Sequence, residues 1–320
     1  MTILIVDGNN MAHRARHTFS LSNKGVDVST TYGTLRMLQS IISKNKPTSV
    51  IVCFDGGIPE FRRRAIPEYK ANRHKDEDPA MWEDFNRQMN ELSDYALPLM
   101  GMVVAKKPCA EADDLMYHAS RMCTEKSIIV TSDKDLFQAV NENVSVLNPA
   151  RDTLYTVDNF QEKVGIALKD YIDWRALQGD GSDNIPGVVG IGEKTATKLF
   201  DTFGSLTRIV NAALGHHPTQ RLEGKIAGNI MMFGWERLSK NVLATALYAD
   251  RVGARQAIID ATEEHTVANK DRVKRYLMKN GFVSLMDGSF YGCILRLQKP
   301  ELNTDGMRIP VVAGRRVAMA

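Results

Sequence analysis

The run ILIVD at residues 3–7, followed at once by Gly8, Asn9 and Asn10, decides the fold. Four aliphatic residues without polar alternation read as a strand buried on both faces, the pattern of a parallel sheet covered by helices. The carboxylate that closes the run marks the strand's carboxyl end, where open α/β sheets carry their sites. Working outward, SVIVCF at 49–54 leads into Asp55 and SIIVTS at 127–132 leads into Asp133, while MVVA at 102–105 and VSVL at 144–147 complete the strand candidates. Between them, YGTLRMLQSIISK, FNRQMNELSDYALPLMG and DDLMYHASRMCTEK space apolar residues three and four apart and so predict helices. The expectation is an α/β fold with a mostly parallel twisted sheet. After about residue 175 the character changes to short helices and glycine-rich hairpins, and from 300 onward no periodicity persists, which predicts a partly ordered tail.

At 320 residues and 43% hydrophobic, the chain is long enough for one large domain or two smaller ones. No apolar run approaches eighteen residues, and MTILIVDGNN lacks the features of a secretory signal, so a soluble cytoplasmic protein without membrane contact is expected. Cys53, Cys109, Cys123 and Cys293 lie far apart with no CxxC spacing, which predicts neither disulfides nor structural zinc. A net charge of +3 barely favours an anionic partner. The distribution of charge says more.

Asp7, Asp55, Glu111, Asp113, Asp114, Asp133, Asp135, Asp180 and Asp183 stand at the ends of apolar runs or open the helices that follow. Singly, each has an ordinary reading: Asp7 and Asp55 precede glycine turns, and Asp113 or Asp114 can cap a helix. Jointly, they would repel one another and raise each other's pKa unless cations neutralise them. Glu111, Asp113 and Asp114 crowd one helical turn, while Asp133 and Asp135 flank Lys134, which puts both on one side of an extended segment. Oxygen ligands without accompanying His or Cys suit magnesium or manganese rather than zinc.

Two basic constellations accompany the acids. EFRRRAIPEYKANRHK at 60–75 carries Arg62, Arg63, Arg64, Lys70, Arg73 and Lys75 directly after a strand that ends in a candidate ligand. Its bland reading is a solvated helix face. GVVGIGEKTATKLF at 187–200 reads as a hairpin between helices, with Gly190 and Gly192 permitting a tight turn whose N–H groups meet phosphate and Lys194 and Lys198 reinforcing it. The seven histidines show no ligand spacing, and Trp82, Trp174 and Trp235, with MMFGW at 231–235, read as core. KDRVKRYLMK at 270–279 predicts a helix with Arg272, Lys274, Arg275 and Lys279 on its polar side, either a duplex contact or a solvated face.

Taken in order, VDGNN, FDGG, the arginine-rich run ending in PEYKANR, EADD, TSDKDL and GDGSDNIPGVVGIGEKTA resemble the 5′ nuclease superfamily of flap endonucleases, polymerase I 5′ nuclease domains and stand-alone bacteriophage 5′-3′ exonucleases. The likeness runs from residue 3 to about 204 and is nearest to the stand-alone phage type. It implies a PIN-like nuclease domain over 1–175 with a helical arch about 60–100, a helical, SAM-like DNA-binding region over 176–298 with a helix-hairpin-helix at 187–200, and a tail at 299–320. It further implies that Asp7, Asp55, Glu111 and Asp113 hold one Mg2+ or Mn2+, that Asp133, Asp135 and Asp183 hold a second, and that Asp114 and Asp180 support them. In this likeness Arg62 and Lys70 touch the scissile phosphate, Tyr69 stacks on a base, and Arg63, Arg64 and Arg73 add positive charge. The resemblance also implies that hairpin carbonyls around Val188 to Ile191 hold K+.

The implied activity is two-metal phosphodiester hydrolysis, exonucleolytic from 5′ ends and endonucleolytic at 5′ flaps, on DNA and on RNA primers annealed to DNA, within replication and alongside replication proteins. A non-catalytic nucleic-acid-binding relative would have lost several of these acids, and none is missing. A PIN-type ribonuclease shares clustered acids but lacks the GIGEKTA hairpin.

Overall fold

The computed structural model describes residues 2–72, 78–286 and 288–304. Its strands are β1 (Thr2–Asp7), β2 (Ser22–Asn23), β3 (Val26–Asp27), β4 (Ser49–Phe54), β5 (Val103–Lys106), β6 (Lys126–Val130), β7 (Val144–Asn148) and β8 (Thr153–Tyr155). Six of them form one sheet in the order β5-β4-β1-β6-β7-β8, with β1, β4, β5, β6 and β7 pairing parallel, and β2 with β3 makes a separate antiparallel hairpin. The five expected strands are all present. β2, β3 and β8 are short and carry too few apolar residues to be seen in the sequence.

The helices are α1 (Gly8–Thr18), α2 (Ser29–Asn45), α3 (Glu60–Ala65), α4 (Pro79–Glu91), α5 (Leu97–Leu99), α6 (Ala112–Met122), α7 (Val157–Val164), α8 (Tyr171–Gln178), α9 (Glu193–Phe203), α10 (Leu206–Ala213), α11 (Gly224–Thr245), α12 (Ala254–Glu263), α13 (Lys270–Lys279) and α14 (Gly288–Ile294). A π-turn, Leu92–Ala96, joins α4 to α5. Among the described residues no helix is long and apolar enough to cross a membrane.

The chain divides into two compact units that are interleaved rather than consecutive. The first takes the chain up to Gly57, resumes after the basic loop as far as Leu154, and resumes again from Asp250. The second takes up the chain at Ile58 and again over Tyr155–Ala249. Within the first unit, a single apolar cluster joins Leu4 and Val6 of β1, Val52 of β4 and Leu35 and Leu38 of α2 to Leu277 of α13 and Ile294 of α14. Burial on both faces explains why β1 tolerates no polar residue between Thr2 and Asp7.

The expected tail begins in order: Gln298 N–H donates to the Thr48 carbonyl at 2.8 Å, and Leu302 bridges Cys123. Residues 305–320 lie outside the described residues. The MMFGW segment departs from the core reading. Met232 is 85% exposed and Trp235 51%. Gly234 leaves helical geometry inside α11 (φ 79°, ψ 158°), which interrupts the helical periodicity of the segment. Trp174 is buried as expected, and its indole N–H donates to Thr197 at 3.0 Å.

Candidate metal centre and nucleic-acid interface

In the first unit, the strand order runs outward from β1 through β4 to β5, then returns to β6 on the other side. The carboxyl ends of β1, β4 and β6 therefore flank a topological switch point, where doubly wound sheets open a crevice. Parallel register pairs Asp7 with Cys53 and Val6 with Val130. Asp55 and Thr131, just beyond those partners, consequently arrive at the same edge as Asp7. Asp7 caps α1, accepting from Asn10 N–H at 2.8 Å through Oδ1, and takes the Thr131 hydroxyl at 2.8 Å through Oδ2. Asp55 Oδ1 accepts from Ala112 N–H, the first residue of α6, at 2.7 Å, and the Asp55 N–H donates to Asn9 Oδ1 at 2.9 Å. Glu111 is the N-cap of α6 and forms a capping box with Asp114. Two helix N-termini thus meet the acidic edge, and their unpaired N–H groups and dipoles favour negative charge there.

Asp133 N–H donates to Thr131 Oγ1 at 3.0 Å, and Asp135 N–H donates to Asp133 Oδ1 at 2.8 Å. The segment is not extended as expected, because Asp135 opens a 3₁₀ turn, Asp135–Ala139, that folds back on Asp133. Thr131 donates to one acid and accepts from the backbone of another, a bridging role the sequence reading missed. Its signal was a hydroxyl residue directly between an apolar strand and the acidic loop.

Burial raises the Asp7 carboxyl from 3.8 to about 7, the Asn10 N–H and the Thr131 hydroxyl pull it down, and the charges of Asp55 and Asp133 push it further up. The Cys53 thiol on the neighbouring strand is raised by burial and then by Asp7 itself. Glu111 and Asp114 are also buried, and Asp55, Asp113, Asp133 and Asp135 are half-buried. Among the described residues no three His, Cys, Asp or Glu side chains stand close enough to enclose one ion. The donors fit a hard divalent cation in two other respects: all are oxygen, and the mutual repulsion that raises Asp7 is what a cation would relieve.

Gly56 holds this edge together. It donates to the Ala110 carbonyl at 2.8 Å and accepts from Cys109 N–H at 2.9 Å, tying the loop after β4 to the loop before α6. A Cβ there would lie 1.8 Å from the Lys107 carbonyl oxygen. Only glycine permits that approach.

The second unit carries the remaining candidates. Asp183 is buried, accepts the Tyr69 hydroxyl at 3.1 Å, and pairs with Lys70 Nζ at 3.6 Å, while its carbonyl takes the Lys70 N–H at 3.0 Å. Lys70 sits in the left-handed region at φ 55°, held there by these contacts. Asp180 pairs with Arg175 at 2.5 Å and accepts the Ser182 hydroxyl at 2.6 Å; burial raises its pKa, but Ser182 and Arg175 together hold it below the usual carboxylate value. This makes Asp180 a brace of its own loop.

Two expectations for the basic run are corrected. Tyr69 is 5% exposed, so it offers no face for a base. Arg62 is 2% exposed, with Nε donating to the Ala244 carbonyl at 2.9 Å and its guanidinium 4.9 Å from the Phe61 ring centroid, so it packs the core of this unit rather than meeting phosphate. The cause is local: α3 lays one face on α11, and Ala65, Ile66 and Tyr69 cluster with Ile185 and Ala244. Arg63 and Arg64 are exposed, Arg64 pairing with Glu60, and Arg73 lies outside the described residues.

The hairpin before α9 is a tight turn, with Ile191 N–H donating to the Val188 carbonyl at 3.0 Å and Asn229 Nδ2 donating to the Val189 carbonyl at 2.8 Å. Gly190 adopts φ 79°, where only glycine is unstrained. Gly192 is different: it is extended at φ −97°, and a Cβ on it would meet nothing within 4 Å. Gly192 caps α9 without a side chain, leaving first-turn N–H groups open beside the exposed Lys194, with Lys198 exposed one turn on. Val188 and Ile191 bury their side chains beneath the turn.

Residues 2–165 match the family of 5′-3′ exonuclease N-terminal resolvase-like domains, and residues 166–243 match the 5′-3′ exonuclease C-terminal SAM fold. The chain is 39% identical over 212 residues to a thermostable DNA polymerase I of Thermus filiformis, covering 65% of this chain and 24% of that protein. It thus spans about a quarter of the length of the polymerase relatives. A 5′-3′ exonuclease of Aquifex aeolicus is 34% identical over 216 residues, covering 65% of this chain and 72% of that one. The structure of bacteriophage T5 flap endonuclease with DNA and metal ions shares the fold at TM-score 0.65 and 20% identity, over 89% of this chain and 99% of that one. With both of its domain types matched in order, the chain belongs to the 5′-3′ exonuclease family.

Proposed function

We propose that this protein hydrolyses phosphodiesters from 5′ ends and at 5′ flaps of DNA, and of RNA primers annealed to DNA, using two magnesium or manganese ions. The observation that carries this reading is the acidic edge at the switch point, where burial and neighbouring charge raise Asp7 to about 7. Asp7, Asp55, Glu111 and Asp113 are assigned to one cation, and Asp133 and Asp135 to the other. Bound there, such cations supply the positive charge that activates water and neutralises the leaving oxygen. Asp114 positions Glu111 through the capping box, and Thr131 orients Asp7 and Asp133. Asp183, assigned by resemblance to the second cation, is engaged in the second unit by Lys70 and Tyr69, and the three act as one hydrogen-bonded group.

The open N-terminus of α9 with Lys194 and Lys198 is assigned to duplex backbone, a sequence-independent grip. Val188 to Ile191 are the K+ candidates. Nuclease chemistry belongs in this reading to residues 1–175 and duplex binding to 176–298, with replication proteins as partners in the cytoplasm.

A 5′-labelled flap duplex tests it. Cleavage should require magnesium, fall by orders of magnitude in Asp133→Asn, and leave duplex affinity in EDTA unchanged. Equal cleavage by the variant, or cleavage in EDTA, would refute the assignment.

A further inference from the structure

The first unit holds a second concave site, built from none of the acids above. A cavity of about 580 Å³ opens between α4, the π-turn behind it and α13, beside the start of α2. That is the size of a small-ligand pocket. Four cations line it, Arg87, Arg272, Arg275 and Lys279, against the single acid Glu91. Arg87 is engaged by Asp84 at 2.6 Å and by the Asp27 carbonyl at 2.6 Å. Among the described residues the side chains of Arg272, Arg275 and Lys279 form no ion pair or hydrogen bond. Their spacing of three and four along α13 puts them on one helical face, a row of positive charge with Glu91 as the one acid of the lining.

The cavity is also lined by aromatic rings, one of them Tyr95 of the π-turn. The buried stripe of α4 runs through Phe85, Gln88 or Met89, and Leu92, so regular helix would bury position 95 or 96 next. Over this turn Leu97 N–H donates to the Leu92 carbonyl, five residues back, and Ala96 and Leu97 are buried. Tyr95 lines the cavity, 48% exposed, with its ring 5.5 Å from that of Tyr276. Tyr276 forms the floor: it is 5% exposed, and its hydroxyl has no partner at good hydrogen-bond geometry among the described residues. Burial raises this phenol, and the nearby charge of Glu91 raises it further.

A row of free cations facing an exposed ring is the combination that holds a nucleotide, phosphates on one wall and base on the other. We propose that this cavity binds a segment of single-stranded nucleic acid, with Arg272, Arg275 and Lys279 on its phosphates and Tyr95 stacked on a base. Glu91 repels phosphate from the Tyr95 side and so sets the orientation. The choice of nucleic acid among polyanions rests on the proposed nuclease function; the cavity, its charge and its ring do not.

The test measures binding of a short fluorescent single strand to the full chain in EDTA, where no hydrolysis intervenes. Arg272→Ala/Arg275→Ala should weaken binding at least tenfold and flatten the dependence of log K on log salt by about 1.4, the value for two phosphate contacts on a single strand. Tyr95→Ala should weaken it about tenfold with the slope unchanged. A strand carrying 5-iododeoxyuridine should photocrosslink to Tyr95 or Tyr276. Unchanged affinity in the double variant, an equal loss in the exposed control Lys169→Ala, which is not part of the cavity lining, or crosslinks confined to other segments would each overturn the proposal. Displacement of the strand by millimolar inorganic phosphate or dAMP would overturn it in favour of a free-nucleotide site. Flap cleavage lost with this binding intact would refute the nuclease reading alone.

Discussion

Replacing Asp7 by asparagine should stabilise the metal-free protein and destabilise the metal-loaded one. The carboxyl ionises at about 7 when folded, against 3.8 when free. Below the lower value both states hold the proton and the folded state keeps its full stability. As pH rises through the folded value that contribution disappears, a loss of up to about 4 kcal/mol by about pH 8. An amide cannot ionise, and its oxygen can still accept from Asn10 N–H while its NH₂ donates to Thr131. The variant should therefore exceed the parent by about 2–4 kcal/mol at about pH 8 in EDTA, and the gap should close toward about pH 4. Magnesium should reverse the order. At a hundredfold excess over its dissociation constant it adds about 2.7 kcal/mol to the parent, and the substitution removes a charged ligand from the site. Urea unfolding at several pH values, with and without magnesium, measures both effects. A variant no more stable than the parent at about pH 8 in EDTA, or a gap that does not change with pH, would refute the account of Asp7.

Further substitutions separate fold from binding. Gly192→Ala should leave the unfolding midpoint unchanged yet weaken duplex affinity, because a Cβ there meets no protein atom. Gly190→Ala should cost about 1 kcal/mol or more from its positive φ alone. Arg62→Ala should behave as a packing lesion, losing about 2–4 kcal/mol in denaturant unfolding at any magnesium concentration, and a purely kinetic defect would count against its buried position. Lys194→Ala should weaken binding equally across sequences and flatten the salt dependence by about one unit; a sequence-selective loss would contradict backbone recognition.

The sheet was legible because its strands are continuous aliphatic runs, and Asp7, Asp55 and Asp133 because each stands where such a run stops. Local pattern failed wherever distant chain decides burial. The arginine-rich run reads as a wet surface, yet Arg62 and Tyr69 are drawn inward by α11 and by Asp183, more than a hundred residues away. MMFGW reads as core, but Met232 and Trp235 are exposed around a glycine that leaves helical geometry. The spacing of FNRQMNELSDYALPLMG predicted helix correctly, and nothing in it announced the wider turn over Leu92–Ala96.

The interleaving of the two units bears on how the chain is born. The apolar strand β1 leaves the ribosome long before α13 and α14, whose side chains complete the cluster around it. Some two hundred residues separate Gly57 from Asp250, roughly 10–40 s of translation at ordinary rates. Through that interval the part of the cluster that α13 and α14 cover stays open to water, and a fragment ending with the matched family segment at residue 243 would emerge sticky and unfinished.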